Sequence, residues 1–145
     1  MNLYKNQTLP HIDINGDLYQ GKIYYPYLNS SCNAWYKDGF LHKEDGPAIK
    51  WNNGDEEWFI YGKLHQLECP AITRYGTKQW FKNGRRHRID GPAVEYANGH
   101  KEWFVNGLCH RIDGPAVEWD DGSKFWYIND KLHRIDGPAA EYADG

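Results

Sequence analysis

Five histidines recur along the chain, and each is followed three positions later by an acidic residue. The pairs are His42 with Asp45, His65 with Glu68, His87 with Asp90, His110 with Asp113, and His133 with Asp136. An imidazole beside a carboxylate can serve in general acid–base catalysis or contribute to a metal site. Catalysis needs one such constellation, whereas a repeating fold needs one in every unit. The recurrence therefore favours a structural role, in which each His bridges a bend to its own acidic residue.

The same spacing argues against a metal centre. Zinc requires three or four converging ligands, and histidines placed once per hairpin are spread along an array. The sequence also lacks a glycine-rich phosphate loop, a G-x-S-x-G nucleophile motif and a C-x-x-C pair. No metal and no cofactor is expected, and an enzyme using one His/Asp pair is the least favoured hypothesis.

The pairs lie within a repeat that tryptophan marks. Successive spacings are 23, 22, 23 and 23 residues between Trp35, Trp58, Trp80, Trp103 and Trp126. The shared pattern is W-[YF]-x-x-G-x-x-H-x-x-[DE]-G-P-A, and the string HRIDGPA occurs at 87–93, 110–116 and 133–139. Five units are predicted, at 35–57, 58–79, 80–102, 103–125 and 126–145, and residues 1–34 are interpreted as an N-terminal cap with a degenerate repeat.

Each unit contains the signals of a β-hairpin. Residues 116–119 and 124–128 alternate as strands about the Asp-Gly turn at 120–123, and the Asn-Gly dipeptides at 83–84 and 106–107 predict type I′ turns. Asp-Gly-Pro is expected to form a bend in which the Gly takes a positive φ. The predicted fold is all-β: a single elongated antiparallel β-meander of stacked hairpin repeats, advancing about 10 Å per repeat, with the Trp side chains in a row.

Composition excludes several classes of protein. The net charge of −3 lacks the basic footprint of a nucleic-acid binder, and no apolar run is long enough for a membrane span. The first residues contain no apolar segment of a signal peptide. Three separated cysteines, Cys32, Cys69 and Cys109, indicate free thiols in a reducing compartment, so a cytoplasmic location is expected.

These units resemble MORN repeats, and more closely the divergent YwqK-type antitoxin-component repeats and the LHRxDGPA arrays of phages and large DNA viruses. The resemblance covers residues 35–145. It implies an elongated β-meander that serves as a scaffold or a binding surface without chemistry of its own. The phage and viral arrays further imply a protein of the host cytoplasm that binds and inhibits a host factor.

Candidate partner-binding residues lie in a basic cluster, in which the repeat does not dictate Arg85 and Arg86, and in the bend of the second unit. The densest basic cluster contains Lys82, Arg85, Arg86 and Arg88, and the unusual second unit places Leu67 in its bend. The leading hypothesis is a non-enzymatic protein-interaction scaffold. The alternative is a small-ligand binder that holds a nucleotide-like molecule between aromatic rings and arginines. Self-association through the strand edge at the end of the array is a further expectation.

Overall fold

A computed structural model describes residues 11, 15, 17–25 and 31–144, with the backbone alone at 22, 23 and 25. The described part of the chain is built from β-strands, and it contains no helix that could cross a membrane. The strands are β1 (Gly21–Tyr25), β2 (Cys32–Lys37), β3 (Phe40–Leu41), β4 (Ile49–Trp51), β5 (Glu56–Glu57), β6 (Phe59–Ile60), β7 (Lys63–Leu64), β8 (Ile72–Arg74), β9 (Thr77–Gln79), β10 (Phe81–Lys82), β11 (Arg85–Arg86), β12 (Val94–Glu95), β13 (Lys101–Glu102), β14 (Phe104–Val105), β15 (Leu108–Cys109), β16 (Val117–Glu118), β17 (Lys124–Phe125), β18 (Tyr127–Ile128), β19 (Lys131–Leu132) and β20 (Ala140–Glu141).

One antiparallel meander sheet runs through all five repeats. Its strands follow the order β1-β2-β4-β5-β8-β9-β12-β13-β16-β17-β20, with β3 paired to β2. Side chains alternate between two faces, and on one of them Lys and Glu oppose each other across neighbouring strands, as where Glu95 faces Lys78 and Lys101. We call this the outer face. The all-β class and the long antiparallel meander predicted from the sequence are confirmed.

Each repeat also builds a second, smaller hairpin; the sequence predicts its turn but not that its two strands pair apart from the main sheet. These hairpins are β6–β7, β10–β11, β14–β15 and β18–β19, and β2–β3 is their counterpart in the first repeat. Backbone bonds join them in series: the amide of Gly84 donates to the carbonyl of Leu64, and that of Gly107 to the carbonyl of Arg86, both at 2.8 Å. The array therefore has two ladders that run side by side along its length: the main antiparallel sheet and a stack of small hairpins.

Tryptophan is the residue at which the chain passes from one ladder to the other. The Trp126 amide donates to Ala139 of the main sheet at 2.9 Å, and the Trp126 carbonyl accepts from the His133 amide at 3.0 Å in the small hairpin. The continuous return strand predicted over 124–128 is therefore wrong. It divides at Trp126 into β17 and β18 because the strand changes its pairing partner there.

The turns of the small hairpins have the predicted type I′ signature. Both central residues take positive φ, 52° and 78° at Asn83 and Gly84, and 52° and 88° at Asn106 and Gly107. In the fifth repeat Asp130 replaces the glycine and still adopts φ 63°. Its side chain accepts from the Cys109 amide at 2.7 Å and its own amide donates to the Cys109 carbonyl at 3.0 Å, which holds it in the left-handed region.

The main-sheet turns account for the short second repeat. In the first repeat the turn at 52–54 is closed by the Trp51 amide bonding to the Asp55 carbonyl at 3.0 Å. In the second repeat Tyr75 and Gly76, with φ 48° and 78°, form a two-residue turn between Arg74 and Thr77. The second repeat is therefore one residue shorter, 22 instead of 23, because its main-sheet turn is shorter, and the strand register is unchanged.

The best-buried core lies in β2 and in the first two repeats. Its residues are Cys32, Ala34, Leu41, Ala48, Ile49 and Phe59. The alanine that follows the bend proline is fully buried at Ala48, Ala71, Ala93 and Ala116, where its carbonyl accepts from the Trp amide of the same repeat. Strands β1 and β2 carry the sheet across the predicted boundary at 34/35. Much of the predicted N-terminal cap, at 1–10, 12–14, 16 and 26–30, lies outside the described residues.

Candidate functional site

An arginine covers the tryptophan ring in each of the last three repeats. The guanidinium carbon lies 3.9 Å from the ring centroid in Arg88 over Trp80, and 4.2 Å in Arg111 over Trp103. Arg134 lies 3.9 Å over Trp126, and in the first repeat the Lys43 ammonium takes this position 4.4 Å over Trp35. Among the described residues no ring contact joins two of Trp58, Trp80, Trp103 and Trp126, so the predicted stacking of Trp on Trp is wrong for these four. Four of the five repeat tryptophans pair with a cation instead.

The same arginines bind the acidic residues of the bend. Arg111 donates from Nε to Asp113 at 3.0 Å, and from Nη1 to the Pro115 carbonyl and to Glu118, both at 3.1 Å. Arg88 and Arg134 make the equivalent contacts in their repeats. The guanidinium groups are therefore engaged in internal pairing and not held free for a ligand.

The bend glycine is required for space and not for its backbone conformation. Gly91, Gly114 and Gly137 are absent from the residues with positive φ, so the expected left-handed glycine of Asp-Gly-Pro is wrong. A Cβ built on Gly114 would lie 2.9 Å from Cζ of Arg111, closer than carbon atoms approach. Glycine therefore leaves room for the guanidinium to lie flat between the bend and the Trp ring.

Four of the five histidines contact the next repeat, and Nε2 of His42 also lies 3.2 Å from Oε1 of Glu44 in its own bend. The Asn106 amide donates to Nδ1 of His87 at 3.0 Å, and the Tyr61 amide donates to Nδ1 of His42 at 3.2 Å. Nδ1 of His110 lies 2.9 Å from Oδ1 of Asn129. Among the described residues no His is bonded to the acid three positions later, so the predicted bridge is wrong. In the last three repeats an Arg bonds to that carboxylate instead.

The imidazole of His87 is held neutral by its surroundings. The pKa of His87 is lowered by burial, and then by the nearby charge of Lys82. A neutral ring keeps Nδ1 as the acceptor that the Asn106 amide requires. Within the described part of the chain, no three His, Cys, Asp or Glu side chains lie together in a group that could hold a metal ion.

The predicted basic cluster is divided between three environments. Arg88 lies on Trp80, and Arg86 points toward the main sheet, where it bonds to Glu102 and Gln79, both at 3.4 Å. Lys82 and Arg85 flank the turn of their small hairpin and are exposed. The structure therefore leaves two of the four predicted basic residues available to a partner.

A row of exposed aliphatic side chains, one in each of four bends, was missed by the sequence analysis. Exposure is 54% for Leu67, 84% for Ile89, 85% for Ile112 and 92% for Ile135. Leu67 therefore belongs to a series and is not an exception of the second repeat. We call these four residues the bend ridge. The signal was present in the sequence, because an apolar residue recurs between Arg and Asp at the third position of HRIDGPA.

An exposed carboxylate follows each residue of the bend ridge. Side-chain exposure is 84% at Asp90 and Asp113 and 82% at Asp136, whereas that of the stacked arginines is 20–24%. The pKa of Asp113 and that of Asp136 are lowered by hydrogen bonds from Arg111 and Arg134. The bends thus present aliphatic and negatively charged groups to the solvent.

None of the thiols has the setting of a reactive thiolate. Cys32 and Cys109 are buried, and burial followed by the charge of Asp130 raises the pKa of Cys109 to about 12. The pKa of Cys69 is also raised, by burial and by Glu56 and Glu68. A nucleophilic cysteine would need the opposite shift.

No family model, curated protein or solved structure matches this chain. The resemblance to MORN repeats accordingly stays a prediction from the residues, and function has to be argued from the geometry of the array.

Proposed function

We propose that this chain is a non-enzymatic protein-interaction scaffold whose recognition surface is the bend ridge. The observation that carries the proposal is the exposure of Ile89, Ile112 and Ile135, each above 80% and each at the same place in its repeat. Exposed aliphatic residues scattered singly need no explanation, but a regular row of them on one ridge has the character of a contact surface.

The internal pairing of the reactive groups supports a scaffold over an enzyme. A repeat histidine such as His87 accepts a hydrogen bond from the next hairpin through its imidazole, here from the Asn106 amide. The bend carboxylates are bonded to arginines, as Asp90 is to Arg88 at 3.2 Å. Groups engaged in this way build the array and are not assembled around a reacting atom.

The small-ligand alternative has less support. It required aromatic faces and arginines that were free to hold a nucleotide-like molecule. The faces of Trp80, Trp103 and Trp126 are instead covered by arginines of the same chain. A ligand would have to displace a guanidinium that donates to two carboxylates, as Arg111 does.

The resemblance to the phage and viral repeat arrays adds that the protein partner is a host factor in the cytoplasm.

Site-specific photocrosslinking tests the proposal. A benzoylphenylalanine in place of Ile112 should capture a partner protein in the cells that express the chain. The matched control is the same substitution at Leu108, an exposed residue of a small hairpin (42%) outside the ridge. An adduct at position 112 that is absent at position 108 supports the proposal. No adduct, or the same adduct from both positions, contradicts it.

A further inference from the structure

The bend ridge has a fixed period that restricts what can lie along it. Each repeat adds two strands to the main sheet, so successive ridge residues are about 10 Å apart at about 4.8 Å per strand. A polyproline-II helix has three residues per turn and rises about 3.1 Å per residue, so every third residue returns to the same side after about 9.3 Å. A β-strand, with same-face residues about 6.7 Å apart, matches the ridge poorly. An α-helix matches it only at every second turn, after about 10.8 Å, so about one residue in seven would face the ridge instead of one in three.

The negative charge beside the bend ridge favours a partner segment that carries basic side chains. Each aliphatic residue is followed in sequence by an exposed carboxylate, from Glu68 beside Leu67 to Asp136 beside Ile135. The arginine of the same bend is largely covered by its stacking on Trp. A second copy of this chain would bring the same carboxylates against them, so like charges disfavour the pairing of two ridges.

We propose that the bend ridge binds a polyproline-II segment of a partner protein that carries a basic side chain at every third residue. Proline rings of such a segment pack between the aliphatic side chains of Ile89, Ile112 and Ile135, and its basic groups meet the neighbouring carboxylates. The segment is preorganised, so little conformational entropy is lost on binding. This inference rests on the proposed function, since it names the partner class for the same ridge.

A labelled peptide of five Pro-Pro-Lys triplets is the probe, and fluorescence anisotropy is the measurement. Two control peptides separate period from charge: five Pro-Pro-Glu triplets, and a block peptide with ten prolines followed by five lysines. We expect the triplet peptide to bind at least about ten-fold more tightly than either control, because only its lysines recur at the ridge period.

Three variants locate the contact. The triple substitution Ile89→Ser, Ile112→Ser and Ile135→Ser removes the apolar contacts without changing charge. Its control is Leu108→Ser with Leu132→Ser, which removes exposed aliphatic groups (42% and 54%) from the small hairpins, outside the ridge. We expect the ridge variant to lose about ten-fold in affinity and the control to stay within about two-fold. A third variant, with Asp90, Asp113 and Asp136 changed to Asn, should lose affinity with the aliphatic row intact.

The outcomes distinguish this inference from the proposed function. Equal binding of the block peptide shows attraction by charge alone and overturns the inference. If position 112 crosslinks a partner and excess triplet peptide does not compete, the ridge binds a protein but not of this class. If neither occurs, both proposals fail. A dimer seen by analytical ultracentrifugation that the Ile→Ser variant abolishes makes a second copy the occupant and also overturns the inference.

Discussion

The Asn106 amide donates a hydrogen bond to Nδ1 of His87 at 3.0 Å, so a side chain of one repeat holds the turn of the next. The same register joins His42 to Tyr61, 19 residues ahead. Repeats of this size cannot bury an apolar face alone, and such forward contacts, with the backbone bonds beside them, couple each unit to its neighbour.

Acid should weaken this coupling. The folded state lowers the pKa of His87 below its ordinary 6.5, so the fold favours the neutral ring. The stability that this provides is complete above the unfolded pKa and is lost as the pH falls through it toward the lower folded value. We expect the urea midpoint of the wild type to decrease below about pH 6.5 more steeply than that of His87→Ala.

At neutral pH the same substitution should destabilise the protein by about 1–2 kcal/mol, because the buried imidazole is removed and the part-buried Asn106 amide loses its acceptor. The control is His133→Ala, since His133 is exposed at the last repeat. We expect the free energy of unfolding of His133→Ala to lie within about 0.5 kcal/mol of that of the wild type. Equal losses from both variants would contradict the forward role of the buried imidazole.

Adding one methyl group in a bend should displace an arginine. Gly114→Ala places a Cβ 2.9 Å from Cζ of Arg111, so the guanidinium has to shift from its position over Trp103. We expect a loss of about 1–2 kcal/mol in the free energy of unfolding together with a change in Trp fluorescence.

A double-mutant cycle tests the cause of that loss. In an Arg111→Ala background, Gly114→Ala should cost less than about 0.5 kcal/mol, because no guanidinium is left to displace. An undiminished loss in that background would place the effect of the methyl group in the backbone instead.

The two neighbouring arginines of the basic cluster should respond differently to charge reversal. Arg86→Glu puts a carboxylate beside Glu102 and removes the contact with Gln79, and we expect about 1–3 kcal/mol of destabilisation. Arg85→Glu, at the exposed turn, should leave the melting temperature within one or two degrees. Equal melting temperatures for the two variants would contradict the division of the cluster.

The three thiols should be distinguishable by labelling. We expect Cys69, which is half-buried, to react with a disulfide reagent at pH 8 before Cys32 and Cys109, which are buried. The raised pKa of Cys109, about 12, should keep that thiol protonated in the folded protein. Mass spectrometry of the labelled peptides identifies the site, and early modification of Cys109 would contradict its placement.

The sequence predicts the meander because the turns of the meander consist of residue types with strong backbone preferences. Asn83-Gly84 and Asn106-Gly107 identify their turns directly, and the missing residue before Trp80 changes only a loop. The division of the strand at Trp126 is not visible in the sequence, since the residues on both sides remain strand formers. Only the identity of the pairing partner changes, and periodicity carries no information about that.

The site is harder to predict because sequence distance was a poor guide to contact. His87 and Asp90 are three residues apart, yet the imidazole bonds to Asn106 and the carboxylate to Arg88. Glycine at 91 looked like a backbone requirement and is instead a packing requirement. The bend ridge was overlooked because Ile89 stands among turn and charged residues, where a single apolar residue is ordinary.

The central claim is that the bends of successive repeats lie in one row at a constant spacing. Spin labels test it directly in a chain with the native cysteines replaced, at Ile89→Cys with Ile135→Cys and at Leu67→Cys with Ile135→Cys. Double electron–electron resonance should give distances of about 20 Å and 30 Å, for two and three repeats of about 10 Å each. Equal distances for the two pairs, or a distance that does not grow with the number of repeats, would contradict the account.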